Sequence, residues 1–121
     1  MLLLRSAEIP PSDEFGISVN RIAADARAPE PSIPVGLMKC VVPPGGSSTR
    51  HSHEDKELFF VAEGDGTITA GEAEFNITKG DVAILDAHEA HSVRNISAAD
   101  PLIFLSVYWI EKEGSSGPAE A

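Results

Sequence analysis

Apolar and polar residues alternate with a period near two over most of the chain, and turn residues interrupt the alternation every few positions. Ile17, Val19 and Ile22 alternate with polar neighbours, which predicts a half-buried strand. Val35–Val42 is apolar and runs into Pro43-Pro44-Gly45-Gly46, a strong turn signal. Glu57–Glu63 predicts a further strand, Thr67–Ala70 and Ala73–Thr78 a hairpin about Gly71-Glu72, and Val82–Leu85 a short apolar strand. His91, Val93 and Asn95 share one parity, and Ser92 and Arg94 the other. Leu102–Ile110 is the longest apolar run, and its length and aromatic content suit a strand better than a helix. Pro10, Pro11 and Ser12 break regularity after Leu2–Leu4, which could form a short strand or an arm. Ala23–Pro34 carries three prolines and reads as a loop, either an ordinary connection or the flank of a binding mouth. No segment has a convincing helical period. The pattern predicts an all-β, antiparallel sandwich or barrel.

Parity adds a second expectation. If Glu57 faces inward, so do Phe59 and Val61, yet the outward Leu58, Phe60 and Ala62 are apolar too. Both faces of Leu102–Ile110 are also apolar. A strand of this kind is usually covered on both sides. A second sheet, the N-terminal arm Met1–Leu4 or another subunit could supply the cover. A large exposed apolar patch is uncommon on a soluble monomer, so a homodimer is expected, with the arm as the competing cover.

Composition narrows the partners. The 121 residues suit one domain. A formal charge of −10 argues against nucleic acid and anionic membranes, which need clustered Lys and Arg. The single Cys40 allows no internal disulfide and suits a reducing compartment. Four apolar residues before Arg5 are too few for a signal peptide or a membrane span. A cytoplasmic location is therefore expected. Residues 113–121, polar and rich in Gly and Ser, are expected to be a disordered tail beyond a domain of residues 1–112.

The candidate chemistry lies in GGSSTRHSHEDKELFFVAEG, Gly45 to Gly64. In extended backbone His51 and His53 project to one side, and Glu57 joins them if strand resumes after the intervening turn. Two imidazoles and a carboxylate are ligand types suited to a divalent transition metal. His91, in DAHEAHSVRN, is a fourth candidate. Two alternating His could also be solvated loop residues; the flanking glycines and apolar strand signals favour a site.

This stretch resembles the first motif of the cupin family, Gly-x5-His-x-His-x3-Glu-x6-Gly, at every fixed position: Gly45, His51, His53, Glu57 and Gly64. Residues 80–95 resemble the second motif, Gly-x5-Pro-x-Gly-x2-His-x3-Asn, at Gly80, His91 and Asn95. Asp86 stands where Pro is usual and His88 where Gly is usual. His tolerates a left-handed backbone better than most residues, so His88 can replace Gly sterically. The resemblance implies a small single-domain cupin: an antiparallel β-barrel of the jelly-roll, double-stranded β-helix type. It further implies one metal ion inside, bound by His51, His53, Glu57 and His91, and a tendency to pair as dimers.

Three imidazoles and one carboxylate would leave a divalent ion with net positive charge and open positions, as catalytic metals have. Iron(II) is favoured, with manganese, nickel, cobalt and zinc as alternatives. The leading expectation is an enzyme on a small organic molecule, with a slight preference for iron(II) oxygenase (dioxygenase) chemistry. A metal-dependent lyase, isomerase or hydrolase is the first alternative. A non-catalytic module binding a small ligand or sugar is the second. His88 and Tyr108 are the catalytic candidates. His88 is either a donor at the mouth or an exposed turn residue, and Tyr108 points either inward or into an interface. Arg50 and Arg94 have the wrong parity for an inward clamp, and Cys40 reads as core.

Overall fold

Alternation becomes burial strand by strand. The computed structural model describes residues 1–110, so the expected tail at 113–121 lies outside the described residues. Nine strands form: β1 Ser12–Glu14, β2 Ile17–Ala23, β3 Gly36–Val42, β4 Lys56–Glu63, β5 Asp65–Ala70, β6 Ala73–Thr78, β7 Val82–Leu85, β8 His91–Asn95 and β9 Leu102–Trp109. The one helical element among the described residues is a short 3-10 turn at Ser6–Glu8. All strand pairs are antiparallel. A six-stranded sheet runs β1-β2-β3-β9-β4-β7, and a three-stranded sheet runs β6-β5-β8.

Every second residue of the central strands enters the core. Met38, Cys40 and Val42 of β3, Phe59 and Val61 of β4, and Leu102 and Phe104 of β9 are buried together with Ile17, Val19, Ile68, Leu85 and Val93. The two sheets close over this cluster as the expected all-β, cupin-type antiparallel barrel. At the β4–β5 corner, Gly64 has φ +93°, and a Cβ there would stand 2.6 Å from the Pro101 carbonyl oxygen. Only glycine fits such a turn without displacing backbone. The motif residue Asn95 is structural. Its buried amide donates to the carbonyls of Val42 (3.1 Å) and Asp100 (2.8 Å), tying the end of β8 to β3.

Three details depart from the alternation. Ser12 opens a strand rather than a break, and β1 and β2 form a hairpin through Phe15-Gly16, both at positive φ. Ile22 has the parity opposite to Ile17 and Val19 and lies in the groove with Leu4 and Ile9, while Arg21, opposite Met38, continues the inward series; a register shift then sets Ala23 opposite Leu37. No regular strand forms over 47–53; instead backbone bonds and two isolated bridges lay 47–51 along β8.

The outer face of the large sheet is partly covered by the chain itself. Met1–Leu4 is an arm, not a strand. Leu4 and Ile9 line a groove with Ile22, Lys39 and Leu105, and the buried Asn20 amide donates to the Ile9 carbonyl at 2.9 Å. Farther along the same sheet, Phe60 (39%), Val82 (55%) and Ile84 (64%) stay exposed.

Candidate metal centre

After β3 the turn at Pro43–Gly46 sends the chain back beside β8. Ser48 N–H donates to the Val93 carbonyl at 2.8 Å. His51 and His91 exchange backbone bonds at 3.1 and 2.9 Å, an antiparallel bridge that aims both side chains to one side. His53 follows, its carbonyl accepting from the His88 N–H at 2.6 Å. Glu57 opens the inward series of β4. His88 has φ +65°, so it does take the left-handed conformation that a Gly would supply.

The ligand atoms of His51, His53 and His91 lie within 4.8 Å of one another, so these three residues are positioned to bind a metal ion. Each imidazole is oriented from behind. Nδ1 of His51 meets the Thr49 carbonyl at 2.8 Å, Nδ1 of His53 the Asp55 carbonyl at 3.0 Å, and Nδ1 of His91 the Glu89 carbonyl at 2.9 Å. A carbonyl oxygen can only accept, so each Nδ1 carries the proton. In the neutral rings this leaves Nε2 as the free lone pair, the arrangement in which a backbone partner fixes a metal-ligating tautomer.

Glu57, 3% exposed, lies against this cluster. Its Oε1 stands 3.1 Å from His53 Nε2 and 3.3 Å from His91 Nε2. The His91 contact lacks hydrogen-bond geometry, and His91 Nε2 is a buried nitrogen with no hydrogen-bond partner. Ser106, fully buried in β9, donates its hydroxyl to Glu57 Oε2. Burial alone would raise the Glu57 pKa, but His91 and Ser106 outweigh it and hold the carboxyl below its ordinary value. Burial would likewise lower the His91 pKa, but the Glu57 carboxylate and the Glu89 carbonyl reverse the sign and raise it. Two neutral Nε2 lone pairs facing one carboxylate oxygen repel unless a proton or a cation lies among them. Glu57 Oε1 thus stands about 3 Å from two of the imidazole nitrogens, the separation that two metal–ligand bonds of about 2.1 Å at near right angles require. The residues therefore fit a divalent ion, and the orphaned His91 Nε2 is the atom it would satisfy.

The cluster opens into a cleft of about 370 Å³ lined by Phe15, Arg21, Met38, His51, His53, Glu57 and Tyr108, among others. That volume suits a small molecule. A larger depression of about 520 Å³, at the other end of β5, is lined by Asp65, Thr78 and Asp81 without any His. The convergent imidazoles make the smaller cleft the candidate site.

Sequence reasoning missed four residues around this cleft. Phe15, at φ +57°, stacks on His51 with ring centroids 4.9 Å apart and an interplanar angle of 13°. Its carbonyl accepts from the Thr49 N–H at 2.7 Å. A bulky residue at positive φ is a genuine outlier, and such strain gathers at functional sites. Glu14 clasps Arg21 at 2.6–3.2 Å, and Arg21 Nη1 donates to Tyr108 Oη at 2.8 Å. Ser106 was legible in principle, as the one small polar residue in the apolar run Leu102–Ile110.

The other candidates separate clearly. Tyr108 lies directly across from Glu57 in the β4–β9 register and faces the cleft. His88 is exposed and does not line the cleft. Arg50 donates to the Gly71 carbonyl, and Arg94 is exposed, so neither clamps the site. Cys40 is buried core, its thiol pushed up to about 12 by burial.

Known proteins place this geometry in context. Residues 38–108 match the family described as "Cupin domain". An oxalate-binding protein of Thermotoga maritima is 36% identical over 67 residues, 54% of each chain. An uncharacterised protein of Methanocaldococcus jannaschii is 30% identical over 61 residues, covering 50% of this chain and 49% of that protein. The chain spans about half the length of the curated relatives it matches. A solved structure from Photorhabdus luminescens superposes with TM-score 0.76 at 27% identity, covering 95% of this chain and 90% of that one. A predicted oxalate decarboxylase of Thermotoga maritima superposes with TM-score 0.77 at 23% identity, covering 91% and 100%, a likeness of fold. With the family match spanning more than half the chain, this chain belongs to the cupin domain family.

Proposed function

We propose that this chain is a metal-dependent cupin that binds a small carboxylate-bearing molecule and is built for turnover on it. His51, His53, Glu57 and His91 serve as the ligands of one divalent transition-metal ion. The observation that carries the reading is the set of three imidazoles, each held through Nδ1 by a backbone carbonyl, with the buried Nε2 of His91 facing Glu57 Oε1 at 3.3 Å without a hydrogen-bond partner among the described residues. A bound divalent ion would polarise a ligand oxygen and hold the ligand at its open positions. The chain does the rest. Ser106 donates to Glu57 and orients its carboxylate. Phe15 and Met38 give the cleft apolar walls that limit water, and Tyr108 offers a polar contact.

The carboxylate reading draws on the oxalate-binding protein that matches over 67 residues. The same open face would serve iron(II) oxygen chemistry, the preference of the sequence itself. The polar Arg21–Tyr108 wall favours an oxygen-rich ligand over a hydrocarbon. The reading also places the protein in the cytoplasm, where a buried thiol such as Cys40 stays reduced. No described helix is long and apolar enough to cross a membrane.

Calorimetric titration with oxalate tests the proposal. Metal-loaded protein should bind oxalate and metal-free protein should not. Equal binding by both, or none by the loaded protein, would overturn the carboxylate assignment.

A further inference from the structure

Three independent features define the place of Tyr108. The first is register: Tyr108 lies between Gly36 of β3 and Glu57 of β4 in one cross-strand row, so its ring shares a face with Glu57. The second is space. A Cβ on Gly36 would stand 2.0–2.4 Å from ring carbons of Tyr108. The ring rests against the Gly36 backbone in a seat that any larger residue would fill. The third is direction. Arg21 donates to Tyr108 Oη at 2.8 Å, and a guanidinium has no lone pair with which to accept. The phenol's own proton must therefore point away from Arg21. Among the described residues Arg21 is the only hydrogen-bond partner of that phenol.

We propose that Tyr108 is the hydrogen-bond donor of the cleft, aimed by Arg21 and seated by Gly36, and that it grips an anionic oxygen of the ligand. The inference rests on the metal-and-carboxylate reading and adds the contact that would select among ligands. Arg21 is not itself the anion receptor. Glu14 already takes its Nε and Nη2 at 2.6–3.2 Å, and Asp25 lies 3.5 Å from Nε. Its charge is balanced within the protein, and Arg21 acts as a positioning residue. A single neutral donor beside a metal favours a ligand with an acceptor oxygen to spare beyond those on the ion. Dicarboxylates and hydroxy acids have one; hydrocarbons do not.

Tyr108→Phe keeps the ring in its seat and removes only the donor. Cobalt(II) uptake, followed by visible absorption, should be unchanged in this variant. Oxalate affinity of the cobalt-loaded protein should fall roughly tenfold or more, as loss of a hydrogen bond to a charged group implies. Tyr108 is the chain's one tyrosine, so the near-UV tyrosine difference signal reports on it alone. Oxalate should perturb that signal in the wild-type protein. Gly36→Ala should unseat the ring and lose oxalate affinity while retaining cobalt. Oxalate binding by cobalt-loaded Tyr108→Phe at wild-type strength, or without a tyrosine signal in the wild type, would overturn this inference and leave the metal reading standing. A wild-type protein that takes up no cobalt would overturn both.

Discussion

At the scale of single residues, the centre is held by atoms that have no other task. His91 is 2% exposed, and its Nε2 has no hydrogen-bond partner among the described residues. Glu57 is nearly as buried and depends on Ser106 for one carboxylate oxygen. Ser106→Ala would leave Glu57 Oε2 without its donor in a dry interior. The expected cost is about 1–3 kcal/mol of stability, with metal affinity lower by roughly ten- to a hundredfold. Denaturant unfolding and a metal titration would measure these, and a variant unchanged in both would show that Ser106 merely fills space. The four proposed ligands were legible because a two-residue spacing and a motif both carry them. Ser106 was less legible, since one serine among Leu102, Phe104 and Tyr108 looks like an ordinary core position. Arg21 was not legible at all. It meets Tyr108 across 87 residues of chain, and nothing in local periodicity records that meeting.

At the scale of elements, the β1–β2 hairpin is the piece that pattern reading did not find. A two-residue turn usually announces itself with Asn or Gly at its first position, and here Phe15 occupies it. The strand exists because the hairpin has partners on both sides of its turn: Glu14 on Arg21, and Phe15 on His51. The barrel strands with strict alternation, β3, β4 and β9, were legible because their inward residues meet one common core. Glu14 carries a pH signature. Its hydrogen bond from Arg21 outweighs burial and, with Ser12 and the nearby charges, lowers its pKa from 4.5 to about 2. A depressed carboxylate contributes stability that is present above its unfolded pKa and lost as pH falls through the folded one. The hairpin should therefore loosen between about pH 4.5 and pH 2. Urea midpoints across this window should fall more steeply for the wild type than for Glu14→Gln. Parallel curves would show that the ion pair contributes little to stability.

At the scale of the molecule, the outer face of the large sheet leaves apolar side chains exposed. Leu37, Val107, Leu58 and Ile84 form one cross-strand row, and Leu105, Phe60 and Val82 continue the next. The arm covers only the β2–β3 side, near Ile22, Lys39 and Leu105. Of the covers considered from strand parity, the arm takes one end, and Phe60, Val82 and Ile84 stay exposed in the single chain. A homodimer is expected, each Å² of apolar surface buried contributing about 25 cal/mol. Sedimentation at micromolar concentration should give twice 12.8 kDa, and Phe60→Asp should shift it toward the monomer; a wild-type species near 12.8 kDa would contradict the dimer. The candidate ligands all come from one chain, so the proposed metal centre would not depend on such a pairing. The most direct test of the whole account is metal content per chain after exposure to iron, manganese, nickel, cobalt or zinc and dialysis, measured for the wild type and for His91→Ala. The account predicts one ion per wild-type chain and loss of most of it in the variant. A wild-type protein that retains none of the five metals, or a His91→Ala variant that retains as much, would contradict it.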